Sequence, residues 1–131
     1  MTVAEYFKGL SDQTRLRLIN LLLQGELCGC DIQHVLGLSQ SNVSRHLNYL
    51  RRVGLVADRR EGYRVFYTLA DPRDLDRKRL FEYLRLAFES DSVFLSDLKS
   101  LRRAIRHGAC TLSEPPPARR PASAARGRAR I

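Results

Sequence analysis

The chain has 131 residues and a formal net charge of +9, with 44% apolar and 28% charged residues. That is one domain of ordinary size, able to bury a core without disulfides or metal and too apolar to be wholly disordered. No apolar run reaches the roughly 18 residues of a membrane helix, and a signal-peptide layout is missing. Of three cysteines two stand at i and i+2, which does not make a disulfide framework. The expected setting is a reducing cytoplasm without a membrane partner, and the charge points to a polyanion.

Thr2 to Leu10 reads as a short helix with Val3, Tyr6, Phe7 and Leu10 on one face. Asp12 caps a second helix whose Leu18, Ile19, Leu22 and Leu23 are candidate core, closing at Gly25. A third runs from about Cys30 to Leu36 and stops at Gly37, and Ser39 caps a fourth, Gln40 to Arg52. Leu55 to Arg60 and Tyr63 to Leu69 are β-rich runs around Glu61-Gly62, a hairpin. Asp71-Pro72 breaks the chain, and helical spacing returns from Leu80 to Arg106 through Leu84, Phe88, Leu95, Leu98, Leu101 and Ile105. The organisation expected is one domain over 1–110, followed at 111–131 by a Pro- and Arg-rich basic tail too polar and irregular to order itself.

The third and fourth helices, joined by Gly37-Leu38-Ser39, form a helix-turn-helix, and the hairpin makes it winged. The fold class is therefore mainly α with a β-hairpin wing. At about 100° per residue, Val43, Leu47 and Leu50 point inward, whereas Ser41, Arg45, Asn48 and Arg52 point the opposite way. Gln40, Ser41, Asn42, Ser44 and Arg45 occupy the N-terminal half, which meets base edges when such a helix enters a major groove. Gln and Arg carry the forks that pair with adenine and guanine edges. His46, on the flank, reads as a phosphate-contacting or solvated residue. Arg59, Arg60 and Arg64 flank the hairpin tip, within reach of backbone or minor groove. Double-stranded operator DNA is the expected partner.

Asp12-Gln13-Thr14-Arg15-Leu16-Arg17, then Glu26-Leu27-Cys28-Gly29-Cys30-Asp31-Ile32, resemble the ArsR/SmtB family of small metal-sensing repressors. Ser39 to Leu47 and Gly54-Leu55-Val56 continue the match, which runs from about Val3 to Leu69. The E-L-C-x-C-D segment resembles the arsenic-responsive branch. That resemblance implies a repressor of resistance genes that leaves its operator when As(III) or Sb(III) binds thiolates at Cys28 and Cys30. It also implies a homodimer through the first and last helices. No permanent cofactor is implied, only the inducer.

The residue chemistry agrees with the resemblance, since thiolates suit a soft ion. Helix-start N–H groups and the helix dipole should favour the thiolate forms of Cys28 and Cys30. On a regular helix i and i+2 point about 200° apart, so chelation by both requires the first turn to be absent or to unwind, and Gly29 lowers that barrier. The branch commonly has a third Cys three residues after the second, where this chain has Gln33. The remaining sulfur is then Cys110 or a small thiol from solution, and Cys110 reads equally as a free tail cysteine. Family sensors of Cd(II) or Pb(II) take cysteines from an N-terminal arm, and none precedes Cys28. Zn(II) sensors carry paired His and acid ligands on the last helix, which here has only His107 near its end. A repressor sensing thiol oxidation through the same pair is the alternative. An enzyme is not expected: C-x-C is not the C-x-x-C of thiol–disulfide oxidoreductases, and no other catalytic set stands out.

Overall fold

A computed structural model of the chain describes residues 2–71 and 73–107. The element order is α1 (Val3–Leu10), α2 (Gln13–Leu22), β1 (Leu27–Cys28), α3 (Gly29–Leu36), α4 (Gln40–Arg52), β2 (Val56–Glu61), β3 (Arg64–Leu69), α5 (Leu75–Phe88) and α6 (Ser92–Arg106). Helix starts are set chemically. Asp12 accepts the Arg15 N–H and Ser39 the Asn42 N–H, each satisfying a donor that a helix end leaves unpaired. Gly37 closes α3 at φ 68°, a conformation that side chains disfavour, and this allows the tight turn into α4.

Leu18, Ile19, Leu22, Ile32, Val43, Leu47, Leu50 and Leu55 form a buried core beneath the helix-turn-helix. The inward stripe expected for α4 is thus observed. The hairpin pairs in register from Glu61 opposite Arg64 to Val56 opposite Leu69. A third strand lies outside the expected hairpin: Leu27 and Cys28 pair with Tyr67 and Phe66, giving an antiparallel sheet ordered β1-β3-β2. Two residues carry no readable period, so only the partner strand reveals it.

The helical spacing from Leu80 to Arg106 belongs to two helices, because Asp91 caps a new helix that starts at Ser92, its side chain accepting the Val93 N–H. The bidentate pair from Arg17 to Asp97, at 2.8 and 2.9 Å, holds α6 on α2, and Asn20 Nδ2 donates to the Phe94 carbonyl at 3.0 Å. Phe88 and Phe94 stack across the break with ring centroids 4.2 Å apart. Tyr6 and Leu10 are buried as expected, but Val3 and Phe7 on α1 and Leu95 on α6 are exposed. The tail at 111–131, Cys110 and Pro72 lie outside the described residues. No described helix is long and apolar enough to cross a membrane.

Candidate nucleic-acid interface and thiol site

Helix α4 presents Gln40, Ser41, Asn42, Arg45, Asn48 and Arg52 to solvent, with Ser44 half-buried. Arg45 Nη2 donates to Asn42 Oδ1 at 2.8 Å, so the two side chains are held together on the outer face. Arg52 lies over the Tyr49 ring at 5.5 Å, and Arg60 and Arg64 are exposed on the hairpin. Of the expected residues, Gln40 and Ser44 of α4 and Arg64 of the hairpin border one cleft.

Two residues depart from that expectation. His46 is 6% exposed, neither solvated nor free to meet a phosphate. Its Nδ1 lies 3.3 Å from Arg15 Nη1 and 4.0 Å from Asp12 Oδ1. Burial, reinforced by the charges of Arg45 and Arg15, holds the imidazole below its ordinary pKa, against the pull of Asp12. Arg59 is likewise turned inward: it donates to both Glu26 oxygens at 2.7 and 2.8 Å, meets Glu61 at 2.9 Å and covers the Phe66 ring at 4.5 Å. The alternation of a strand places Arg59 and Arg60 on opposite faces, and Arg59 falls on the face that Glu26 borders. Tyr63 is wholly exposed at the hairpin tip, and its place next to Gly62 is the only sequence signal for an aromatic there.

The cysteines also differ from the reading on a regular helix. Cys28 is extended, at φ −73° and ψ 147°, because it belongs to β1, and Cys30 lies in the first turn of α3. The strand-to-helix junction brings the two sulfurs to 2.8 Å. No unwinding is needed for both to face one ligand. Gly29 packs against β3, where a Cβ would lie 3.4 Å from Tyr67 Cε2, an ordinary van der Waals contact. Cys28 is buried and makes no capping hydrogen bond, whereas Cys30 is exposed. Helix-start donors do not make a thiolate of Cys30. Partial desolvation, then the hydrogen bond and charge of Cys28 and the nearby Asp31, push its thiol up to about 11.

Beside the sulfurs opens a cleft of about 270 Å³ between α3, the start of α4 and the wing. Gln33, Gln40, Ser44, Tyr63 and Arg64 border it. A soft trivalent or divalent ion fits two convergent thiols. Among the described residues no group of three or more His, Cys, Asp or Glu completes a metal site. His107 is exposed at the end of α6.

The profile of the family described as bacterial regulatory protein, arsR family, matches residues 12–58. A cadmium resistance transcriptional regulatory protein CadC homolog of Staphylococcus aureus is 43% identical over 72 residues, 54% of this chain and 60% of that protein. The arsenic resistance transcriptional regulator ArsR2 of Pseudomonas putida is 36% identical over 116 residues, 84% of this chain and 98% of the relative. A solved homodimeric winged helix-turn-helix DNA-binding domain from Mycobacterium bovis, described as a possible ArsR-family regulator, is similar with a TM-score of 0.57. It is 33% identical and covers 66% of this chain and 78% of its own. The chain spans 50–60% of the length of several curated relatives.

Proposed function

The chain belongs to the ArsR family of bacterial regulatory proteins, and from that premise we propose that it is a transcriptional repressor, not an enzyme, that releases operator DNA when As(III) or Sb(III) binds Cys28 and Cys30. The observation that carries the reading is the 2.8 Å approach of the two sulfurs at the junction of β1 with α3, the helix that leads directly into α4. Anything bonded to both sulfurs stands between the recognition helix and the wing, so it biases the DNA-facing geometry directly.

Contact with DNA falls to Gln40, Ser41, Asn42, Ser44, Arg45, Asn48 and Arg52 on α4 and to Arg60 and Arg64 on the wing. The first group reads bases and the second meets the backbone. Homodimerisation is proposed through α1 and the C-terminal helices. Val3 and Phe7 on α1 and Tyr83 and Leu86 on α5 are each more than half exposed, large apolar residues that a monomer has reason to cover. A two-fold dimer sets two recognition helices about one DNA turn apart. The domain at 1–110 would then hold sensing, reading and dimerisation, with the basic residues at 111–131 adding sequence-independent affinity.

Relatives are named for arsenic, cadmium and mercury resistance, so the inducer must be decided by chemistry. Arsenite arrives as neutral As(OH)3, whose hydroxides take up the thiol protons as water. Cd(II) must instead release those protons to solvent. Operator-bound fluorescence anisotropy, titrated with arsenite, antimonite, Cd(II), Zn(II) and peroxide at pH 6, 7 and 8, tests the reading. Release by arsenite at a nearly pH-independent midpoint is expected. For Cd(II), the midpoint should improve about tenfold per pH unit for each thiol deprotonated. Release by peroxide and not by arsenite would favour a thiol-oxidation sensor. Release by Cd(II) or Zn(II) alone would make the protein a divalent-cation sensor.

A further inference from the structure

Two protein sulfurs satisfy two of the three covalent bonds of a trivalent metalloid. Among the described residues no third sulfur, imidazole or carboxylate completes the set. One helical turn beyond Cys30, the position that faces the same cleft is Gln33, an uncharged amide with no affinity for a soft ion. The cleft itself holds far more than an ion. Its 270 Å³ is several times the roughly 30 Å³ of a water and approaches the lower limit of small-molecule sites. Its border is suited to a polar organic group: Gln33, Gln40 and Ser44 supply donors and acceptors, Tyr63 an aromatic flank and Arg64 a cation. Cys30, the exposed member of the pair, is within electrostatic reach of Arg64.

We propose that this cleft seats a small carboxylate-bearing thiol whose sulfur is the third ligand of the metalloid, held by Cys28 and Cys30 on the protein side and with its carboxylate on Arg64. The inference rests on the arsenic reading of the thiol pair. The exchange balances without redox chemistry: three As–O bonds of As(OH)3 give way to three As–S bonds, and each thiol proton leaves with a hydroxide as water. The consequence for DNA is steric. The third ligand occupies the space between Gln40 and Ser44 of the recognition helix and Arg64 of the wing, so the bulk of the adduct separates the two elements that grip the duplex.

The test uses the full chain with arsenite as probe, read by native mass spectrometry and by the ultraviolet absorbance of As–S bonds, independently of operator release. With glutathione present, an adduct carrying one arsenic and one glutathione per subunit is expected. At equal thiol concentration glutathione should support arsenite binding about fivefold better than uncharged 2-mercaptoethanol, the scale of one partly exposed ion pair. Arg64→Gln should bring that ratio to about one. Gln33→Cys should bind arsenite with protein sulfurs alone and lose the dependence on added thiol. An arsenic adduct free of small thiol that disappears in Cys110→Ser would assign the third bond to Cys110 and overturn the proposal. So would an adduct with two As–S bonds that ignores added thiol, or a Gln33→Cys protein that still requires it. In each of those cases the thiol-pair sensor stands. If no As–S absorbance develops with any thiol, the sensor reading itself fails, and this inference with it.

Discussion

The recognition helix and the thiol turn border the same cleft, yet they are built in opposite ways. Helix α4 takes its outward face from its own period, with Ser41, Arg45, Asn48 and Arg52 exposed and Val43, Leu47 and Leu50 buried. The thiol turn owes its shape to a distant segment, since Cys28 is held extended by pairing with Phe66 of the wing strand β3. A side chain removed from the outer face of α4 leaves its scaffold alone. A bond formed at the thiol turn pulls on the sheet that carries the wing. Reading and sensing are therefore separable by mutation although they are adjacent in space.

The largest expected effect tests that separation. Cys28→Ser and Cys30→Ser should each abolish release by arsenite while free-protein operator affinity stays within about twofold, because Ser keeps the volume and removes the soft ligand. Anisotropy with and without arsenite measures both, and circular dichroism checks the buried Cys28 variant. Release surviving in both variants would place the sensor elsewhere. Arg45→Ala should do the reverse. A bidentate base contact is worth about 1–3 kcal/mol and a dimer loses two, so operator affinity should fall at least about thirtyfold. Arsenite binding, followed by As–S absorbance, should be kept. Unchanged affinity would remove Arg45 from the reading face.

The same contrast explains what the sequence revealed. The helix-turn-helix, the helix caps at Asp12 and Ser39 and the face of α4 depend on residues a few positions apart, and all are legible in the sequence. The strand at Leu27–Cys28, the inward turn of Arg59 and the burial of His46 each depend on a partner far along the chain. Without those partners the C-x-C segment reads as a helix start, its sulfurs apart and its thiols acidified. With β1 in place the sulfurs meet and the Cys30 thiol rises instead. Local periodicity cannot carry such information.

Arg59 gives the next, smaller test. If it ties the wing to the segment before β1, Glu26→Gln removes the charge that holds it, at a cost of about 1–2 kcal/mol. For a domain of this size, Tm should fall by about 5–10 °C. Operator affinity, measured well below the transition, should change less than tenfold. A marked gain in affinity would mean that the freed Arg59 reaches DNA, returning it to the interface.

His46 supplies the smallest effect and joins the reading helix to the fold by charge. It is buried against Arg15 and Asp12, and burial first, then the cations Arg45 and Arg15, hold its pKa below the ordinary 6.5. In the unfolded chain the imidazole takes up its proton near that ordinary value, whereas in the folded chain it does so only at lower pH. The unfolded state therefore binds more protons in the window beneath 6.5, so stability rises with pH through that window and is lost as pH falls into it. Asp12, despite burial acting the other way, is held below the usual carboxylate range by the Arg15 backbone N–H and by the charges of His46 and Arg15. Its contribution is lost only on further acidification, in a separate window. Between pH 7.5 and 5.5 the Tm of the wild-type protein should therefore fall. His46→Gln keeps a polar group beside Arg15 but takes up no proton, so its Tm should be nearly level over that range. His34 and His107 are exposed and offer no comparable burial. A His46→Gln protein as acid-sensitive as wild type would show that the buried imidazole is not the source, and that the base of the recognition helix is indifferent to its charge.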